Sequence, residues 1–165
     1  ILKPGMTVVD LGAAPGGWSQ YVAAQLRDDV RIVAVDLLPM DAVPCVTFIQ
    51  GDFTEAPVLD ALTAALTATG AEGADLVMSD MAPNISGNRV VDQPRSMYLA
   101  ELALDTARKV LKKRGNFVCK LFQGQGTDDL IGAARARFER VRVMKPEASR
   151  ACSWSRPPGW SRRAS

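Results

Sequence analysis

The chain has 165 residues, 47% of them hydrophobic, which is enough for one domain with a sizeable core. No apolar run is long enough to span a bilayer, and the first residues carry no signal-peptide pattern. Three widely spaced cysteines without a CxxC pair suit a reducing cytoplasm, and the lack of any histidine removes the commonest general base and metal ligand.

The net charge of +2 is unevenly spread: residues 1–134 carry 11 Lys/Arg against 16 Asp/Glu, and residues 135–165 carry 9 against 2. A basic end on an acidic body fits either a polyanion partner or a solvated basic tail. In chain order, TVVDL (7–11) predicts a strand and Trp18 to Leu26 a helix. RIVAVD (31–36) and VTFIQ (46–50) read as two further strands, followed by an Ala/Leu-rich helix from Val58 to Leu66. DLVMSD (75–80) is a fourth strand. A long helix is expected from Met97 to Leu111, with Lys112, Lys113 and Arg114 at its carbonyl end. Gly115 opens a fifth strand, NFVCKLF; Thr127 is placed as the N-cap of a helix running to Phe138, and Val141 to Met144 as a sixth strand. Apolar strands alternating with helices imply an α/β fold with a mostly parallel, doubly wound sheet. The stretch 152–165, CSWSRPPGWSRRAS, has no periodicity and is set apart as an irregular tail to a domain spanning 1–151.

The stretch VVDLGAAPGGWSQ (8–20) joins a strand to a helix through Gly12, Gly16 and Gly17. Glycines let a backbone pass close to a ligand, and the next helix offers unpaired N–H groups; the alternative is a tight structural turn. The spacing is G-x-x-x-G-G, not the G-x-G-x-x-G of dinucleotide binders. Asp36 ends the second strand, where an acid accepts ribose hydroxyls. Asp52 follows the third strand beside Phe53, a pair suited to the amino group and face of an adenine. Either acid can instead be turn chemistry. Together they favour an adenosine ligand, with S-adenosylmethionine a better fit than a nicotinamide cofactor. Asp80 ends the fourth strand, and Lys120 lies in the fifth between Cys119 and Leu121, a costly place unless it is paired or useful. The two are expected to meet above the sheet, as a structural ion pair or as part of a reaction centre.

VVDLGAAPGGWSQYV, AVDLLPMD, FIQGDF, VMSDMAPNISG, the D-x-P-R-x-M-Y-L-x-E-L-A-L run (92–104), KLFQG and VMKPEASRA resemble, in order and spacing, the FtsJ/RrmJ family. These are S-adenosylmethionine-dependent ribosomal RNA 2′-O-ribose methyltransferases with a Rossmann-like fold, and the similarity runs from about Leu2 to Ala151. The resemblance implies methylation of a uridine 2′-hydroxyl in large-subunit (23S) ribosomal RNA within the 50S subunit, by a monomer. It implies cofactor contacts at Gly12, Gly16, Trp18, Asp36, Asp52 and Asp80. It implies a reaction centre containing Asp80 and Lys120, with Lys120 taking or orienting the hydroxyl proton, and no metal. Arg89, Arg95, Arg140, Arg142, Lys145 and Arg150 are candidates for gripping RNA phosphates.

The match departs from the family's pattern at both ends. The family's upstream lysine has no counterpart, since Lys3 belongs to the strand lead-in, and no acid follows Glu147 to match its late glutamate. The sheet is therefore expected to lack its closing strand, and the chain to be a fragment or to carry a frame-shifted end. CSWSRPP can be encoded so that a one-base shift reads Leu-Leu-Val-Ala-Thr-Ala, and sequencing the gene tests this. The rival readings are a cofactor-binding chain impaired in transfer and, less favoured by the glycine spacing, a nicotinamide-dependent oxidoreductase.

Overall fold

The computed structural model describes residues 1–27, 29–81, 89–121, 124 and 126–144, without the side chains of 89–91 and 93. Among these residues nine elements follow in order: β1 (Met6–Leu11), α1 (Gly17–Gln25), β2 (Val30–Asp36), β3 (Val46–Gln50), α2 (Ala56–Ala68), β4 (Ala74–Ser79), α3 (Arg89–Val110), β5 (Leu111–Cys119) and α4 (Thr127–Arg135). The strands form one sheet in the order β3-β2-β1-β4-β5, and every neighbouring pair is parallel.

Alternation along the strands sends side chains to two separate cores. Val9, Leu11, Val33, Val35 and Val77 pack beneath Leu62 and Leu66 of α2 and Ala103, Ala107 and Val110 of α3. Met6, Val8, Ile32, Leu76 and Met78 pack on the opposite face against Val22 and Ala23 of α1 and Leu26 just past its end. All six residues of β1 are buried, because the central strand is covered on both faces. This is the expected doubly wound α/β fold. The chain leaves β1 for β2 and β3 on one side and returns through α2 to β4 on the other. The carboxyl ends of β1 and β4 therefore flank a topological switch point, where such sheets bind ligands.

Several boundaries differ from the sequence expectation. Helix α3 starts at Arg89 and carries Pro94 inside it; a proline removes one amide from the ladder, but its fixed φ is helical. The same helix stops at Val110, and β5 begins at Leu111 with no connecting residue. Lys112, Lys113 and Arg114 thus belong to β5 and not to a helix end, because Leu111 already pairs with Ala74. The cap of α4 is Gly126 at φ 86, and Thr127 is the first helical residue. Its Oγ1 instead accepts a hydrogen bond from the Gly124 amide at 3.0 Å. Helix α4 ends at Arg135, and Phe138 beyond it stacks on Phe117 of β5 with ring centroids 6.2 Å apart. Residues 141–144 are not a strand: a strand needs a ladder partner, they have none among the described residues, and Met144 is 83% exposed.

Candidate functional site

The glycine loop sits at the carboxyl end of β1. Gly12 (φ 73) and Gly16 (φ 105) are both left-handed. A Cβ on Gly12 would collide with Met81 Cγ, and one on Gly16 would lie 3.1 Å from Met40 Sδ. Gly12 therefore has no room for a side chain, Gly16 has room only if Met40 gives way, and Gly17 faces open space. Gly16 is the N-terminal cap residue of α1 and offers no side-chain cap. The first-turn amides of Gly17 and Trp18 consequently have no acceptor within the helix. Trp18 itself packs its ring against the core on the α1 face, so what it presents to the loop is backbone.

Asp36 ends β2 and is held rigidly. Its Oδ2 accepts from the Ala14 amide at 2.9 Å and its Oδ1 from the Leu38 amide at 2.8 Å. The carboxylate thus ties the glycine loop to the turn after β2 and keeps a fixed orientation at the ligand end of the sheet. Asp52 follows β3, and its Oδ1 accepts from the amide and the hydroxyl of Thr54 at 2.8 and 2.7 Å. The Gly51 amide donates to Asp36 O at 2.8 Å, so the β2 and β3 turns are linked. Phe53, expected beside an adenine face, has its ring in the core. It is 8% exposed and belongs to the core under α2, because the apolar ring gains more by burial than at an open edge.

Asp80 and Lys120 follow the last residues of β4 and β5, and the structure brings them together. Lys120 Nζ lies 2.8 Å from Asp80 Oδ1, an ion pair whose approach is not that of a well-aligned hydrogen bond. Lys120 is not inside the strand, as expected, but one residue past it; its amide still donates to Ser79 O at 2.9 Å. That position leaves its side chain 48% exposed and resolves the cost of a lysine among apolar neighbours. The adjacent Cys119 thiol is pushed up to about 11 by burial and by the Asp80 charge, which makes it a poor nucleophile.

Asp10, the acid at the end of the opening apolar run, received no role from the sequence. It is fully buried, between the carboxylates of Asp36 and Asp80. Its Oδ2 accepts from the Ser19 hydroxyl at 2.7 Å, and Oδ1 has no partner among the described residues. Burial pushes its carboxyl up to about 6, against the lowering effect of the Ser19 hydrogen bonds. The sequence signal was an acid near the end of a mostly apolar strand, nine residues before a serine in the first turn of a helix.

Of the residues expected to grip RNA, Arg95, Arg140 and Arg142 are exposed. Arg89 opens α3, and its side chain, with Lys145 and Arg150, lies outside the described residues.

Five parallel strands in this order, with a glycine loop and acids at the carboxyl ends of β1 and β2, define a Rossmann-like domain, a fold that binds its ligands at that edge. The family model described as FtsJ-like methyltransferase matches residues 1–156. The Ribosomal RNA large subunit methyltransferase E of Hahella chejuensis is 57% identical over 153 residues, covering 93% of this chain and 73% of that protein. A ribosomal RNA methyltransferase from Plasmodium falciparum superposes with a TM-score of 0.78 at 25% identity, covering 90% of this chain and 84% of that one. A short-chain dehydrogenase/reductase from Serratia marcescens, with a TM-score of 0.53 at 12% identity over 82% of this chain and 71% of its own, shares the fold alone. The chain belongs to the FtsJ-like methyltransferase family.

Proposed function

We propose that this methyltransferase transfers the methyl group of S-adenosylmethionine to a uridine ribose 2′-hydroxyl of large-subunit ribosomal RNA. The observation that carries the reading is the meeting of two devices at one edge of the sheet. The Asp36-braced glycine loop lies there, and beside it the Lys120–Asp80 pair. The Hahella and Plasmodium relatives, named for ribosomal RNA methylation, support the class of substrate.

The residues present fit the cofactor. Gly12 and Gly16 adopt the left-handed backbone that turns the loop at the end of β1, and they present only main chain there. The amides of Gly17 and Trp18 suit a carboxylate, Asp36 the ribose hydroxyls, and Asp52 the adenine amino group. S-Adenosylmethionine supplies, when bound, a methyl group already activated by its sulfonium charge. The protein's task is then to hold a hydroxyl in line and manage its proton. Lys120 orients the hydroxyl as an ammonium or, after giving one proton to solvent, takes the hydroxyl proton as the free amine; Asp80 fixes Lys120 and borders the cofactor. Arg95, Arg140 and Arg142, joined by Arg89, Lys145 and Arg150, hold phosphates of the RNA. We place the methyltransferase domain at 1–151, acting as a cytoplasmic monomer on the 50S subunit. Among the described residues no helix is long and apolar enough to cross a membrane.

The test is transfer of tritiated methyl from the cofactor to undermethylated 50S particles, followed by nuclease digestion. Label in a 2′-O-methyluridine is expected; label on a base, or none, refutes the assignment. The cofactor half is tested separately by calorimetry with S-adenosylhomocysteine. Asp36→Ala removes charged hydrogen bonds worth about 1.5–3 kcal/mol, and affinity is expected to fall roughly ten- to hundredfold. Unchanged affinity would place the ribose elsewhere.

A further inference from the structure

Residues 108–114 read Arg-Lys-Val-Leu-Lys-Lys-Arg, five cations in seven positions, and all five are exposed. Arg108 and Lys109 lie in the last turn of α3, where cations complement the helix carbonyls. That explanation does not reach Lys112, Lys113 and Arg114, which belong to β5. Their placement comes from an irregularity of the sheet. Ala74 pairs with Leu111 and Leu76 with Asn116, so β4 advances two residues while β5 advances five. Residues 112–115 are therefore extruded from the ladder as an enlarged bulge.

The bulge is held in place at a conformational cost. Arg114 has φ 64, a left-handed backbone that disfavours a long L side chain. Gly115 is fixed by packing, since a Cβ there would lie 2.7 Å from Leu111 Cδ2 and 3.0 Å from Lys112 O. Lys112 is ion-paired to Asp75, whereas among the described residues Arg108, Lys109, Lys113 and Arg114 have no ion-pair partner. Beside the bulge lies a hollow of about 260 Å³ bordered by Lys3, Asp75, Lys112, Arg114 and Asn116. The group sits at the amino ends of the strands, away from the cofactor loop. From Arg114 to Lys120 the chain can span about 20 Å at ~3.3 Å per residue.

We propose that the bulge at 112–115 and the last turn of α3 form a second phosphate-binding surface, which docks structured RNA remote from the reacting ribose. The inference rests on the RNA reading above and extends it to a surface outside the reaction edge. The exposed groups of 108–114 are all Lys and Arg, and the run contains no aromatic. Contact is thus with the sugar-phosphate backbone and is independent of base sequence.

Two variants test it in the full chain: the triple variant Arg108→Gln, Lys109→Gln, Lys113→Gln, and the single variant Arg114→Gly. For each, fluorescence anisotropy gives the Kd for a large-subunit ribosomal RNA fragment across roughly 50–200 mM salt. Methyl transfer gives KM and kcat on 50S particles, and calorimetry gives the Kd for S-adenosylhomocysteine. The triple variant is expected to raise the RNA Kd and the KM about tenfold or more and to flatten the logarithmic salt slope by about two to three. Its kcat and S-adenosylhomocysteine affinity stay unchanged. Arg114→Gly is expected to weaken RNA binding without lowering Tm, since glycine is at home at φ 64. A merely structural role for Arg114 cannot couple those two results. An unchanged RNA Kd and salt slope in both variants overturns the proposal, as does equal weakening of cofactor binding. The binding measurements read this surface even if the wild-type chain transfers no methyl group. That outcome would count against the reaction proposed above and not against the surface.

Discussion

Lys120→Ala is expected to abolish most methyl transfer while leaving cofactor affinity intact. The group stands one residue past β5, half-exposed, with Nζ 2.8 Å from Asp80 Oδ1. A side chain there can reach a hydroxyl presented at the sheet edge and carries no part of the core. Positioned proton transfer is worth roughly 10²- to 10⁴-fold, and kcat on 50S particles should fall by that order. The S-adenosylhomocysteine Kd should move little, because the role belongs to the reaction and not to ground-state binding. Lys120→Arg adds resolution. Arginine keeps the charge and can keep the pair with Asp80, but it does not give up a proton. Recovery of rate in that variant would assign Lys120 to orientation, and continued loss would assign it to proton acceptance. Equal losses of cofactor binding and of rate in Lys120→Ala would instead identify a structural ion pair.

The second large effect is on stability and lies in Asp10. Its carboxyl is held at about 6 by burial, against an ordinary 3.8. The folded chain therefore binds this proton more tightly than the unfolded chain does. The protonated form contributes stability that is present in full below about pH 4 and is lost as pH rises through 6. Two pH units correspond to about 3 kcal/mol, as an order of magnitude, with the loss complete by about pH 7. Asp10→Asn replaces the carboxylate with a neutral group of the same shape that still accepts from Ser19. Urea unfolding of the two proteins from pH 4.5 to 7.5 isolates this group, since all other titrations are shared. The wild type is expected to lose stability relative to the variant as pH rises. A pH-independent difference would mean that Asp10 ionises as an ordinary aspartate.

Much of this architecture was legible in the chain. Continuous apolar runs ending in Asp10, Asp36 and Asp80 marked three parallel strands, because strands covered on both faces have no polar alternation. The glycine loop and the pairing of Asp80 with Lys120 were also readable. Each depends on a residue type that is expensive or useless elsewhere, and the fold rule puts strand ends together at one edge. What the chain could not disclose depended on neighbours distant in sequence. The ladder partner of Leu111 decided that the basic run 112–114 continues a strand instead of finishing a helix. Packing under α2 decided that the Phe53 ring is buried in the core. The raised carboxyl of Asp10 arises from desolvation and from two acids that are 26 and 70 residues away. Local patterning reports which residues want to be buried or paired. Only the packed structure decides against what, because register, desolvation and charge proximity are properties of pairs that the chain brings together by folding.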